Sequence, residues 1–223
     1  MPRLSSAVYT ELEAIHSYGL DLKNREVYLH SYYSETEYDP GTEYRAAICF
    51  EKNIRYLNTL SSEPILVHMH ISGGDWEDCM SIFDTIKSSK STIVLLAYTK
   101  VQSASSVILQ AAGHRVLMPN CNILIHYGSL SLDIEHKAAL SSIAWSERES
   151  NKMIDIFTER CMETAMAKNK NWKKMMAKKH IISQLANKSD WILNAEEAVE
   201  YGFADGILGG KKYSTIDNLK KLK

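Results

Sequence analysis

The run PILVHMHI (64–71) ends in Ser72-Gly73-Gly74 and passes at once into a segment, Asp75 to Ser88, in which Trp76, Cys79, Met80, Phe83 and Ile86 recur at three- and four-residue spacing. The first reads as a strand and the second as an amphipathic helix opened by Asp75. Another apolar run, STIVLLAY (91–98), follows. Strand, helix and strand in that order require a crossover, and crossovers join parallel strands. A second crossover runs from STIVLLAY through a helix that begins near Ser103 and ends at Gly113, and returns in RVLM (115–118). REVYLHS (25–31) and NILIHY (122–127) supply further strands. The expected core is one α/β sheet built of repeated crossovers.

Beyond His126 the texture changes. From about Asp133 to Leu185 no strand-like run occurs, and Ala, Met, Lys and Glu, residues of high helix propensity, are abundant. This predicts a long helical arm. Its stretch AKNKNWKKMMAKKH carries Lys168, Lys170, Lys173, Lys174, Lys178 and Lys179, which reads as a solvated helix face rather than a site for an acidic partner. At 223 residues a single domain is expected. Its head takes in about 25–130 and 190–210, and its helical handle about 131–187. The segment YYSETEYDPGTEY (32–44) reads as a polar, Tyr-rich loop around Pro40-Gly41.

With 26 Lys and Arg against 27 Asp and Glu, there is no overall field to attract nucleic acid or an anionic membrane, so neither is an expected partner. The four cysteines, Cys49, Cys79, Cys121 and Cys161, form no CxxC pair, and three lie in apolar stretches where a thiol packs as a small hydrophobe. The N-terminal residues lack the apolar core of a secretory signal, and no later stretch is long and apolar enough to span a bilayer. The expected location is a reducing cytoplasm.

Three features could carry chemistry. Ser72-Gly73-Gly74, at a strand end and before a helix, can expose a backbone N–H to an anion or a developing oxyanion, although such turns are more often only turns. The run KVQSASSVILQAAG puts Ser103, Ser105 and Ser106 at a helix start, where serines are usually caps but where a hydroxyl can also be presented. His126 ends a strand, on the edge where loops of an α/β sheet gather. Each is weak alone. Together they supply an oxyanion hole, a nucleophile and a base on one edge. His68 and His70 alternate on one strand and share a face, but no third ligand has suitable spacing, so packing is expected there and no metal.

The chain resembles the ClpP family, the proteolytic subunits of ATP-dependent Clp proteases, from about Val27 to Leu208. PILVHMHISGGDWEDCMSIFDTIKSS looks like the family's strand, glycine turn and helix, with Ser72 in place of a Pro. MPNCNILIHYG is similar to its segment bearing the catalytic His, and NAEEAVEYGFADGIL to its C-terminal signature. The resemblance implies a ClpP/crotonase-like α/β fold, a repeated β-α-β superhelix with a long helical handle. It also implies a serine endopeptidase, with His126 as general base.

An ungapped alignment from Gly74 places the nucleophile on Ser103, and two inserted residues would move it to Ser105. The first alignment puts the oxyanion donors on the N–H groups of Gly74 and Ala104. The resemblance departs in three places. Thr99 and Val101 replace small residues before the nucleophile, and Tyr127-Gly128 follows the His. The family's orienting Asp falls on Ala186, which leaves Asp190, favoured over Asn187, as the substitute. No cofactor is expected. The implied partners are copies of the same chain in a ring, stacked heptamers in the family's form, an AAA+ unfoldase, and a peptide or unfolded protein as substrate. The competing expectations are a noncatalytic ring subunit and an acyl-CoA hydratase of the same superfold.

Overall fold

The computed structural model describes residues 6–31 and 41–222. Most of the Tyr-rich segment 32–44 therefore lies outside the described residues. The chain opens with α1 (Ser6–Tyr18), β1 (Leu20–Asp21), β2 (Glu26–His30) and α2 (Tyr44–Leu60), then runs through β3 (Ile65–His70), α3 (Trp76–Ser88) and β4 (Ile93–Ala97). After β4 come β5 (Lys100–Gln102), α4 (Ala104–Ala111), β6 (His114–Leu117) and β7 (Asn122–Ile125). The helices α5 (His136–Met162), α6 (Ala165–Asn169) and α7 (Lys174–Lys188) follow, and the chain closes with β8 (Trp191–Leu193), α8 (Ala195–Glu200), β9 (Gly206–Ile207) and α9 (Ile216–Leu219).

The helix starts are set by local chemistry. Asp75 accepts from the N–H groups of Glu77 and Asp78 and so caps α3, as its position before the amphipathic run predicts. Glu43 does the same for α2, and Asn194 with Glu197 forms a capping box on α8.

The expectation of one sheet is corrected: there are two. The larger has the order β1-β2-β3-β4-β6-β9, parallel throughout except for the β1/β2 pair. The smaller is β5-β7-β8. The chain leaves the large sheet after β4, and Lys100–Gln102 pairs instead with Asn122–Leu124. What reads as one crossover from β4 to β6 thus contains a strand of another sheet. Three-residue strands carry too little periodicity to stand out in a sequence.

β3 and β4 are buried on both faces. Ile65, Val67, Met69, Ile93, Leu95 and Ala97 face the main core, against helices α2 to α5. Leu66, Val94 and Leu96 point the other way, where Tyr213 and Leu219 of the C-terminal segment cover them. That segment lies beyond the expected head boundary at about residue 210, yet it closes the second face of the sheet.

The helical region is present from α5 to α7, but it is not wholly an outlying arm. The second half of α5 buries Met153, Ile154, Phe157 and Cys161 in the main core, where it packs beside α4. In the basic run, Lys174 and Lys178 reach Glu159 and Asp155 of α5, so part of its charge is answered within the chain. No described helix is long and apolar enough to cross a membrane.

Candidate functional site

The small sheet converges on one point. β5 and β7 run parallel, with Gln102 opposite Leu124, so Ser103 and His126 leave the sheet on the same edge. β8 runs antiparallel to β7 with Trp191 opposite Ile125, which brings the residue before it, Asp190, to His126. The Ser103 hydroxyl donates to His126 Nε2 over 2.8 Å, and in the tautomer protonated at Nδ1 the imidazole donates to Asp190 Oδ1 over 3.2 Å. Asn187 points elsewhere: it lies in α7 and its amide donates to Ser183 Oγ. Ala186 is also inside α7, which is followed by Ser189, a residue with φ 59°.

Ser103 occupies a sharp turn between strand and helix. Its φ of 54° and ψ of −128° lie where non-glycine residues are rarely found, a conformation that costs on the order of 1–3 kcal/mol and must be held by its surroundings. The holders are visible. Ser103 N–H donates to Leu124 O at 2.9 Å. The Ser105 hydroxyl accepts from Gln102 N–H and donates to Gln102 O, and the Ser106 hydroxyl donates to Ser103 O. Both hydroxyl residues are fully buried. Ser105, the alternative nucleophile, is thus engaged inside the turn, whereas Ser103 lines a cavity.

The turn before Asp75 leaves no room for a side chain at Gly73 or Gly74. A Cβ on Gly73 (φ 117°) would lie 2.7 Å from Gln102 O and 2.9 Å from Ser103 Cβ, so the glycine turn abuts the serine turn directly. A Cβ on Gly74 (φ 135°) would lie 2.4 Å from the backbone of Thr42. Thr42 pairs with this turn as a bridge: its N–H donates to Gly73 O, and Asp75 N–H donates to Thr42 O. Thr42, in the described end of the Tyr-rich segment, is therefore part of the site's frame, a role for which the sequence offers no signal. Ala104 N–H belongs to the first turn of α4, whose N–H groups have no intrahelical acceptor.

Gly74, Ser103, Ala104 and His126 line one cavity of about 460 Å³. Its other wall is a stripe of α5, Trp145, Ser146, Glu149, Ser150 and Met153, joined by Trp76 and Val107. This wall has no signal in the sequence around the nucleophile and base, because it comes from a helix distant in sequence. Trp76 Nε1–H donates to Glu149 Oε2 at 2.7 Å. Burial alone would raise the Glu149 carboxyl, but the bond from Trp76 and the hydrogen bond and charge of Lys152 outweigh it and hold it below the ordinary carboxylate range.

His68 and His70 lie apart from this cavity. Tyr98 O–H donates to His68 Nδ1 at 2.9 Å, and His68 Nε2–H donates to Glu26 Oε2 at 3.0 Å. Burial pulls the His68 imidazole below its ordinary value against the opposing pull of Glu26, and the ring stacks on Tyr28. Among the described residues, no group of three or more His, Cys, Asp or Glu is arranged to hold a metal ion. The cysteines are all free. Cys79, Cys121 and Cys161 are buried, and burial pushes the Cys121 thiol up to about 12.

A profile of the Clp protease family matches residues 42–211, more than half of the chain. The chain is 30% identical over 152 residues to ATP-dependent Clp protease proteolytic subunit 2 of Mycobacterium tuberculosis strain H37Rv, a match covering 67% of this chain and 65% of that protein. It is 28% identical over 152 residues to proteolytic subunit 3 of Nocardia farcinica, covering 67% of this chain and 63% of the relative. To proteolytic subunit 1 of Tropheryma whipplei it is 30% identical over 158 residues, covering 66% of each. The chain thus spans just under two-thirds of the length of these curated relatives. Its glycine turn, strand-end histidine and C-terminal signature fall inside the matched residues, and the chain belongs to the Clp protease family.

Proposed function

We propose that this chain is a serine endopeptidase subunit of a ClpP-like, self-compartmentalising protease, with Ser103 as nucleophile, His126 as general base and Asp190 as the orienting carboxylate. The observation that carries the proposal is the hydrogen-bonded series Ser103, His126, Asp190, with its serine on a strained strand-to-helix turn. Ser103 Oγ attacks the peptide carbonyl carbon while its proton passes to His126 Nε2. The N–H groups of Gly74 and Ala104 receive the oxyanion. Collapse of the tetrahedral adduct breaks the C–N bond, and the imidazolium gives its proton to the leaving amine. Water, deprotonated by His126, then attacks the acyl-enzyme, and the serine is regenerated.

The names of the relatives, proteolytic subunits of ATP-dependent Clp proteases, support a subunit that works within an ATP-dependent protease. We extend this to stacked rings of identical chains, fed with unfolded protein by an AAA+ partner in the cytoplasm. A ring subunit that has lost catalysis is the competing reading, and it has one observation in its favour. The Asp190 side chain is 57% exposed, so its hold on His126 is screened by water. A fluorophosphonate probe separates the two. Labelling of the assembled protein at Ser103, abolished by Ser103→Ala and retained in Ser105→Ala, is expected; assembled protein that takes no label would support the noncatalytic reading.

A further inference from the structure

The cavity beside Ser103 has a one-sided charge. Its charged lining residues are Asp75 and Glu149, with no Lys or Arg among them, although the whole chain is nearly neutral. Asp75 is occupied as the cap of α3. Glu149 is different: only 20% of its side chain is exposed, and the Trp76 indole fixes its carboxylate on the cavity wall. Met153 lies one helical turn further along the same face and is buried, as is Val107 opposite. Trp145, one turn in the other direction, is more exposed. The wall thus reads, from one end of the stripe to the other, as indole, carboxylate and apolar surface.

We propose that this cavity selects a basic side chain, Arg or Lys, at the residue whose carbonyl Ser103 attacks, with Glu149 as the specificity-determining carboxylate. The inference rests on the Ser103–His126 reading above. An Arg or Lys stem packs along Trp76 and the apolar surface, while its charged head meets the Glu149 carboxylate and an indole face. An acidic side chain meets like charge from Asp75 and Glu149. An apolar one fills the space but dehydrates a fixed carboxylate without answering it. The internal competitor is Lys152, 3.1 Å from Glu149 Oε2, whose side chain is 51% exposed and free to swing into solvent when a substrate cation arrives.

The test uses the assembled protein and matched fluorogenic peptides carrying Arg, Lys, Leu, Phe or Glu at the cleaved residue. The expected order of kcat/KM places Arg and Lys first. In Glu149→Gln, which keeps an acceptor for Trp76 but no charge, the Arg-to-Leu ratio falls roughly tenfold or more. Using the ratio within one variant cancels any general loss. In Lys152→Met the ratio rises. A native preference for Leu or Phe, or an Arg-to-Leu ratio that Glu149→Gln leaves unchanged, overturns the inference while leaving the peptidase standing, provided cleavage requires Ser103. Absence of both fluorophosphonate labelling and cleavage of any peptide overturns the peptidase and the inference together.

Discussion

Replacing Asp190 by Asn tests how the site is held together. The carboxylate lies 3.2 Å from His126 Nδ1, and it has two tasks: to fix the tautomer that leaves Nε2 free to accept from Ser103, and to stabilise the imidazolium formed during attack. Where such an Asp is buried, its loss costs about 10⁴ in rate. Here the Asp190 side chain is 57% exposed and the imidazole 29%. Two unit charges 4 Å apart interact by about 1 kcal/mol in water and about 4 kcal/mol at an effective dielectric of 20. Solvent screening puts the Asp190 pair toward the lower figure, about 1–2 kcal/mol. Asp190→Asn is therefore expected to slow acylation about five- to thirtyfold. The carboxamide oxygen can still accept from Nδ1–H, so Asp190→Ala is expected to be worse. The assay is the pseudo-first-order rate of fluorophosphonate labelling at Ser103, measured on protein whose assembly is checked by sedimentation. A change under twofold in both variants would refute the orienting role, and a thousandfold loss in Asp190→Asn would refute the argument from screening.

Ser105→Ala is expected to keep labelling but to destabilise the fold by about 1–3 kcal/mol, because it removes both bonds that the buried hydroxyl makes to Gln102; thermal unfolding reads this, and an unchanged melting point contradicts it. Gly73→Ala is expected to abolish labelling, since its Cβ would meet Gln102 O at 2.7 Å and Ser103 Cβ at 2.9 Å; full labelling in the variant would show that the two turns are not in contact. Burial would raise the Asp205 carboxyl, but hydrogen bonds and charge from Arg115 prevail and hold it below its ordinary range. A carboxylate depressed by folding contributes stability that is present above the unfolded value, about 3.9, and is lost as pH falls through the folded one. Chemical denaturation from pH 6 to pH 3 should therefore show a loss that Asp205→Asn reduces. Arg115→Met, which strips the partly buried Asp205 of its guanidinium partner but leaves the bond from the backbone N–H of residue 115, should cost about 2–3 kcal/mol at neutral pH, as measured by denaturant midpoint.

By itself the sequence determined the parts whose signal is local. The apolar runs, the amphipathic helix after Gly74 and the cap at Asp75 are written in residues a few positions apart, and the strands at 26–30, 65–70, 93–97, 114–117 and 122–125 lie within or next to the runs that predict them. His126 at a strand end and a small-residue turn around Ser103 were legible for the same reason. Local pattern does not separate Ser103, Ser105 and Ser106; the ungapped alignment from Gly74 favours Ser103, and burial and hydrogen-bond partners distinguish the three in the structure.

Only the tertiary structure decided the rest. β5 and β8, with three residues each, have no periodicity to read, and their pairing with β7 joins positions 100 with 122 and 125 with 191. That pairing alone brings Asp190, rather than Ala186 or Asn187, to the imidazole. The α5 wall with Glu149 likewise depends on packing a helix against a turn more than forty positions away. Local propensity shapes the elements, but a site drawn from three strands and a distant helix exists only once nonlocal pairing has set their register.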